Sequence, residues 1–221
     1  MQYLSEKEVE KNTTKSTVRE YAEAIIIAIL LALVIKAFIV QAFKIPSGSM
    51  KTTLLIGDHI LVNKFIYGIS IPIVNKEIVH ISDPKRQDIV VFRYPVDPSK
   101  DFIKRVIGLP GDTVKIHDKK VFVNDQPLEE PYAVFSDNRI LPAGVSPRDN
   151  MSGITVPANS LFVMGDNRDE SYDSRFWKFV DMSDLRGKAF MIYWSWNQDG
   201  EMSLNSSQSY VRWNRIGDWL H

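Results

Sequence analysis

A serine in a short turn-forming segment is the first feature of this sequence that could perform chemistry. Residues 43–50 have the sequence FKIPSGSM, in which Gly48 allows a tight backbone bend and would expose the hydroxyl of Ser49. A seryl hydroxyl becomes an effective nucleophile only beside a base that removes its proton. The same composition also suits a flexible linker. Both interpretations, nucleophile and linker, are open at this point.

The candidate base is a lysine in a strand-like segment, because the histidines are scattered and none has the context of a serine partner. Lys104 lies in DFIKRVIGLPGD, with Phe102, Ile103 and Val106 close to it in sequence. Burial among apolar side chains lowers the pKa of a lysine, since desolvation disfavours the charged form. Most strand lysines face water, so spacing alone does not select Lys104.

Composition excludes several other classes of protein. The 221 residues contain 27 Lys+Arg, 27 Asp+Glu and no Cys. Without a basic excess we predict no nucleic-acid partner. Without thiols there can be no disulfide and no cysteine nucleophile. The acidic stretch 165–175 lacks the turn glycine and terminal glutamate of a calcium loop. We interpret it as a turn whose carboxylates pair with Arg168 and Arg175, and we expect neither metal nor cofactor.

An apolar run near the N-terminus predicts a membrane anchor. Residues 24–35, AIIIAILLALVI, contain no polar side chain, and the apolar character continues beyond Lys36. Seventeen residues, 24–40, span about 25 Å as a helix at about 1.5 Å per residue. We therefore place one transmembrane helix at 23–43. A cleaved signal peptide and a buried core helix are the alternatives.

The charges on either side of this helix predict its orientation. Basic residues in the preceding tail, 1–22, favour a cytoplasmic N-terminus; they are Lys7, Lys11, Lys15 and Arg19. The remainder, 44–221, is then an extracytoplasmic domain.

Beyond the anchor, β-branched and aromatic runs separated by turn residues predict strands. The predicted strands are 59–64, 88–94, 102–107, 120–123, 160–164 and 189–194. We therefore predict a mostly β fold, with antiparallel sheets or an open barrel. Residues 129–158 are rich in Pro, Asn, Asp, Ser and Gly, which indicates an inserted, loop-heavy second subdomain at about 113–158.

Four segments, in order, resemble the motif boxes of the bacterial type I signal peptidases, also called leader peptidases. They are FKIPSGSM followed by LLIGDHILVNKF, then RQDIVVFRYP, DFIKRVIGLPGD and GDNRDESYDSRFWKFV. One such segment alone would be unspecific, whereas all of them in order after an anchor are specific.

This resemblance implies a membrane-bound serine endopeptidase with a Ser–Lys dyad. Such an enzyme removes N-terminal signal peptides, at Ala-x-Ala-like sites, from exported preproteins. By resemblance, Ser49 is the nucleophile and Lys104 is the general base. Ser47 and the backbone N–H of Ser49 would form the oxyanion hole. The implied location is the bacterial cytoplasmic (inner) membrane, in single-pass form, with signal peptides and membrane lipid as partners.

The resemblance also assigns supporting residues. Ser171 matches a serine that orients the lysine, and Asp173 and Arg175 match a charged pair that supports the site. The shallow pockets for small substrate side chains would be lined by Phe43, Ile45, Phe102 and Ile103.

Two other functions are weighed against this one. The chain could be a membrane-anchored, non-catalytic β domain that binds or assembles partners, in which case Ser49 is dispensable. It could also be a specialised Ser–Lys peptidase, such as a pilin-processing enzyme. The tryptophans of the C-terminal region likewise have two interpretations, packing within the fold or contact with lipid; they are Trp194, Trp196, Trp213 and Trp219.

Overall fold

The computed structural model describes residues 17–34, 40–67, 69–71, 76–79, 81–197 and 210–220. These residues belong to two compact units, Met1–Phe38 and Ile39–His221. Each unit is described by itself.

The smaller unit contains helix α1, Thr17–Val34. Its apolar side chains between residues 25 and 31 are more than half exposed. The predicted tail and anchor fall partly on residues 1–16 and 35–39, which lie outside the described residues. Within the described ranges, no helix combines the length and the apolarity that crossing a membrane requires.

The end of the predicted transmembrane segment is wrong, because Val40–Lys44 forms strand β1 and not a helical turn. This strand pairs antiparallel with strand β2, Asp58–Asn63, from Val40 opposite Asn63 to Lys44 opposite His59. An apolar run does not by itself distinguish helix from strand. The pairing partner, which is distant in sequence, decides the conformation here.

The larger unit is built from antiparallel strands. After β1 and β2 they are β3 (Ile69–Ile71), β4 (Lys76–Val79), β5 (Ile89–Arg93), β6 (Asp101–Gly108), β7 (Thr113–His117), β8 (Lys120–Val123), β9 (Gln126–Pro127), β10 (Met151–Thr155), β11 (Ser160–Met164), β12 (Val180–Asp181) and β13 (Leu185–Ser195). Each of the six segments predicted as strands overlaps or coincides with an observed strand, which confirms the prediction of a mostly β protein with antiparallel sheets.

The main sheet has seven strands in the order β1-β2-β13-β5-β6-β11-β12. Although β1 and β6 are not neighbours in this order, Phe43 of β1 and Phe102 of β6 line the same groove. The sheet must therefore curl, which brings its first strand near its fifth. Strand β5 runs through the middle of the core, since Val91 and Val90 contribute to different buried clusters on its two faces.

A separate four-stranded sheet, β10-β7-β8-β9, lies within residues 113–155, the region predicted as an insertion. It packs on the main sheet through a cluster that joins Val114 and Val121 to Phe162 and Met164. The prediction that 129–158 is loop-heavy and not part of the core is wrong at the end of this stretch. Residues 151–155 form β10, and Val156 is fully buried. The polar composition concealed this strand, because its side chains are mostly exposed or half-buried.

Candidate active site

The serine segment connects β1 to β2 and is anchored at its base by backbone hydrogen bonds. The amide of Ile45 donates to the carbonyl of Asp58 at 2.9 Å, and that of Gly57 donates to the carbonyl of Ile45 at 3.0 Å. Ser49 is only 8% exposed, and Met50 beside it is fully buried. The segment is therefore a packed part of the fold, and the flexible-linker interpretation is wrong.

Lys104 meets Ser49 from the middle of β6. Its Nζ lies 2.7 Å from Ser49 Oγ and 3.0 Å from the carbonyl oxygen of Ile103. Because side chains alternate along a strand, Phe102 and Val106 lie on the same face of β6 as Lys104. Val90 is its cross-strand partner. The lysine is thus buried beside apolar groups, with the serine hydroxyl and the Ile103 carbonyl as its hydrogen-bond partners.

This burial changes the acid–base chemistry of the lysine. Burial lowers the pKa of Lys104 from 10.5 to about 8, because an ammonium ion loses its hydration there. The nearby carboxylates of Asp173 and Asp166 oppose the shift, and Arg175 adds to it. A substantial fraction of Lys104 is therefore neutral at mildly alkaline pH and able to accept a proton.

A loop after β11 holds the serine segment from the other side. The backbone amide of Asn167 donates to the carbonyl of Ser49 at 3.1 Å, and its side-chain amide donates to the carbonyl of Gly48 at 3.1 Å. Gly165 packs against the carbonyl oxygen of Ser49. A Cβ at position 165 would overlap this oxygen and the hydroxyl of Ser171. The loop fixes the backbone on both sides of the Ser49 Cα.

The charged pair Asp173 and Arg175 supports this loop from within the protein. Asp173 is completely buried and caps the short helix α2, Ser174–Trp177. Its carboxylate accepts from Arg175 Nε and Nη2 at 2.8 Å each and from the amide of Gly165 at 3.0 Å. Burial alone would raise the pKa of Asp173, but Arg175 outweighs this effect and holds the pKa below its usual value.

Arg175 and Arg168 extend this support in different directions. Arg175 also donates to the carbonyls of Arg168, at 2.6 Å, and Arg148, at 3.0 Å. Arg168 forms an ion pair with Glu130 and donates to the carbonyl of Gly165 at 3.1 Å. The predicted pairing of acidic residues within 165–175 with Arg175 is confirmed. The predicted pairing with Arg168 is wrong, because Arg168 pairs with Glu130, which lies in the inserted region.

Ser171 and Ser47 occupy different environments. Ser171 is buried, and its hydroxyl helps to lower the pKa of Asp173, but among the described residues its Oγ makes no hydrogen bond to Lys104. Since no hydrogen bond connects it to Lys104 there, its orienting role stays a prediction. Ser47 is exposed, two residues before Ser49, and accessible to a substrate.

A small apolar groove is lined by every residue expected to form the substrate pockets, including Ile103, the neighbour of Lys104 in sequence. It has a volume of about 40 Å³. Its walls include Phe43, Ile45, Phe102 and Ile103, with Val91 in the lining. A cavity needs about 10–15 Å³ of such volume to hold one water molecule, so the groove has room for a small side chain.

Sequence reasoning missed several residues that hold the site. Arg105, which follows the lysine, forms a bidentate ion pair with Asp166 at 2.9 and 2.7 Å, and both are buried. Thr53 joins them by donating to Asp166 at 2.6 Å. The sequence did point to both residues, since Arg105 and Asp166 lie in the motif segments quoted above. A pairing between residues so far apart in sequence cannot be found without the fold.

The arrangement is suited to acyl transfer. A seryl oxygen, a lysine that is neutral at mildly alkaline pH and a groove for a small side chain define the class of serine hydrolases that act on acyl or peptide bonds. The antiparallel β domain supplies the rigid elements that hold these groups.

Comparison with known proteins agrees with this class. The sequence model of the family described as "Signal peptidase, peptidase S26" matches residues 18–194. A signal peptidase I of Pseudomonas fluorescens is 39% identical over 217 residues, which cover 85% of this chain and 76% of that protein. The signal peptidase I of Pseudomonas aeruginosa is 39% identical over 224 residues, covering 88% and 78%. A crystal structure of a signal peptidase I from Enterococcus faecalis, 32% identical, covers 49% of this chain and 97% of its own with a TM-score of 0.40.

The chain therefore belongs to the signal peptidase family, peptidase S26. Its activity is that of a serine endopeptidase that cleaves signal peptides. The non-catalytic binding function is thereby excluded.

Proposed function

We propose that Ser49 and Lys104 form the catalytic dyad that performs this cleavage, with Ser49 as nucleophile and Lys104 as general base. The observation that carries the proposal is the 2.7 Å separation of Ser49 Oγ and Lys104 Nζ, with the lysine buried beside apolar groups. Proximity alone would not suffice, because an ordinary lysine is protonated at neutral pH. The lowered pKa of Lys104, about 8, supplies the missing condition.

In the acylation step, Ser49 Oγ attacks the carbonyl carbon of the scissile peptide bond while Lys104 Nζ takes the hydroxyl proton. The negative charge that develops on the carbonyl oxygen is stabilised by the backbone N–H of Ser49 and the hydroxyl of Ser47. The peptide C–N bond then breaks, and Lys104 returns the proton to the leaving amine. The signal peptide is now an ester of Ser49.

In the deacylation step, Lys104 takes a proton from a water molecule, and the resulting hydroxide attacks the ester. The C–O bond to Ser49 breaks, and Lys104 returns the proton to Ser49 Oγ. The released signal peptide ends in a carboxylic acid, which loses its proton to the solvent. One base therefore serves both steps, because it regains its neutral form at the end of each.

The groove supports a preference for small residues at the cleavage site. At about 40 Å³ it is large enough for a small side chain such as that of alanine, and a larger side chain would meet its walls sooner. Its opposite walls come from β1 and β6, so an extended substrate lying between them would present alternate side chains to the protein. An Ala-x-Ala pattern is the sequence that meets this restriction.

The proposal is tested by cleavage of a model preprotein by the full chain in detergent or vesicles. Ser49→Ala and Lys104→Ala should each abolish cleavage while leaving the circular dichroism spectrum unchanged. Matched controls are Ser152→Ala and Lys115→Ala, which alter exposed strand residues of the second sheet and should keep parental activity. Full activity of the Lys104→Ala variant would eliminate the dyad.

We also propose that the enzyme is tethered to the bacterial cytoplasmic membrane by the segment that includes α1. Apolar side chains all around this helix are between 54% and 65% exposed; they are Ile25, Ile26, Ile27, Ile29, Leu30 and Leu31. Such exposure to water is unfavourable, and lipid would remove it. In the larger unit, Trp213 and Trp219 are 66% and 64% exposed, which favours lipid contact over core packing for these two.

The topology can be mapped with single cysteines, because the chain contains none. Ser5→Cys lies in the predicted cytoplasmic tail, and Ser152→Cys lies at an exposed position of the β domain. In intact cells stripped of the outer membrane, an impermeant maleimide should label residue 152 and should label residue 5 only after lysis. The reverse pattern would contradict the proposed orientation.

A further inference from the structure

The C-terminal arm, residues 210–220, lies outside the residues 18–194 that match the family and outside every motif segment. It nevertheless returns to the main sheet. Val211 bridges to Trp196 and Trp219 bridges to Met191 of β13. The amide of Leu220 donates to the carbonyl of Phe190 at 2.9 Å. The arm is thus an integral part of the β domain.

The arm contacts the serine segment through a buried carboxylate. Asp58, the first residue of β2, is fully buried. Its oxygens accept from Arg215 Nη2 at 2.6 Å, from Ser195 Oγ at 2.6 Å and from the amide of Leu55 at 2.8 Å. Asp58 therefore connects the end of the serine segment to Arg215 of the arm.

Two arginines of the arm also bind the backbone of the serine segment directly. Arg215 Nη2 donates to the carbonyl of Thr53 at 2.8 Å. Arg212 donates to the carbonyl of Ile56, and its Nε donates to Ser195 Oγ at 2.9 Å. The carbonyls of residues 53 and 56 lie on the connection between Ser49 and β2. Their partners are guanidinium groups, whose several donors are fixed in one plane and hold a geometry that a lysine cannot reproduce.

The end of the arm packs beneath the same segment. Leu220 is 8% exposed and belongs to the buried cluster that contains Ile45, Met50 and Leu54. Met50 follows Ser49 directly, and Ile45 lines the substrate groove. The arm therefore supports the serine segment both by hydrogen bonds and by apolar packing.

We infer that the C-terminal arm positions the nucleophile, and that Arg215 is a positioning residue for Ser49 acting through Asp58 and Thr53. The loop after β11 holds Ser49 on one side, through Asn167. On the other side, the arm holds residues 53–56, which follow Ser49, through Arg215 and Arg212. Both restraints are needed, because proton transfer from Ser49 to Lys104 depends on a separation that changes with any shift of the segment. This inference rests on the proposed roles of Ser49 and Lys104.

The test compares Arg215→Ala with Arg86→Ala in the full chain, by steady-state cleavage of a model preprotein. Arg86 is a matched control, since it pairs with Asp112 at 3.0 Å and donates to the carbonyl of Ile107, away from the serine segment. Arg215→Ala should lower kcat by roughly 10- to 100-fold, in line with the effect of about 1 Å misplacement, with KM changed less than threefold. Arg86→Ala should leave both constants at parental values.

Arg215→Lys separates positioning from general stability. A lysine can keep the ion pair with Asp58 and cannot also hold the carbonyl of Thr53 in the guanidinium geometry. Its kcat should therefore lie between those of the parent and Arg215→Ala. Melting temperatures are measured for all variants, and kinetics are run well below the lowest. If Arg215→Ala does not fold, Arg215→Lys against Arg86→Lys makes the same comparison, with a several-fold drop in kcat expected for the former alone.

Equal kcat values for the folded Arg215 and Arg86 variants would overturn the inference, as would a loss confined to KM. A Ser49→Ala variant in the same assay distinguishes this failure from that of the dyad. If Ser49→Ala is inactive while the Arg215 variants are normal, only the inference fails. If Ser49→Ala cleaves normally, the proposed dyad fails and the inference falls with it.

Discussion

Lys104 Nζ lies 2.7 Å from Ser49 Oγ, although the two residues are 55 positions apart in sequence, one within β6 and the other in the connection between β1 and β2. The lysine is fixed by β6, at the centre of the core, and the serine by a segment that closes against two other parts of the chain. The buried lysine lacks the hydration that would keep it charged. The position of Lys104 in the fold therefore makes it a base.

Cleavage should rise with pH as Lys104 loses its proton. With a pKa of about 8 for Lys104, kcat/KM should fall about tenfold per pH unit well below pH 8 and reach a plateau above it. The measurement is a pH–rate profile with a model preprotein between pH 6 and 10, with circular dichroism at each pH as control. A flat profile through this range would exclude Lys104 as the base.

Replacing the buried lysine by methionine should stabilise the protein at neutral pH. The folded state must bury a charge below about pH 8, whereas the unfolded chain keeps its proton up to about pH 10.5. Since the unfolded state binds more protons between these values, the stability of the parent rises with pH across this window. Lys104→Met should therefore gain roughly 3 kcal/mol at pH 7, because folding lowers the pKa of the lysine from 10.5 to about 8 and each pH unit corresponds to about 1.4 kcal/mol.

The gain from Lys104→Met should shrink as the pH increases from 8 towards 10.5. Urea unfolding at several pH values measures it. Lys115→Met, at an exposed position of β7, is the control and should change the free energy of unfolding by less than about 0.5 kcal/mol. A destabilised Lys104→Met variant at pH 7 would show that the lysine is not under electrostatic strain.

Gly165→Ala should impair catalysis by displacing the nucleophile. A Cβ at this position overlaps the carbonyl oxygen of Ser49 and the side chain of Ser171, neither of which can move without shifting the site. We expect kcat to fall by about 100-fold for a displacement of about 1 Å. Gly144→Ala is the control, since a Cβ there has no neighbour within 4 Å. Parental kcat in a folded Gly165→Ala variant would mean that the site tolerates this shift.

Enlarging the groove should relax substrate selection. Ile103→Ala removes part of the wall of a cavity of about 40 Å³, so a larger side chain at the cleavage site should fit. The preference for alanine over leucine there, as a ratio of kcat/KM values, should drop by at least about tenfold. Paired model substrates that differ at this one position measure the ratio. Ile154→Ala, in the second sheet, should leave the preference unchanged.

Local patterns determined much of the fold. The short β-branched runs located six strands, because period-two burial and β propensity act within a few residues. The same local logic failed at Val40–Lys44, where an apolar run suited both a helix and a strand and pairing with β2 decided between them. It also failed at Met151–Thr155, whose mostly exposed or half-buried side chains carry little hydrophobic signal.

The sequence by itself also determined which chemistry was available. It contained no thiol, a serine beside a glycine, and a lysine among apolar neighbours, and the order of its motif segments indicated the family. Only the tertiary structure decided that Lys104 is buried and that Asn167 and Gly165 contact the backbone of Ser49. It also decided that Arg215 of the C-terminal arm binds Asp58. These relationships depend on how a curled sheet brings distant strands together. Contact and desolvation are properties of that packing, and no short stretch of sequence encodes them alone.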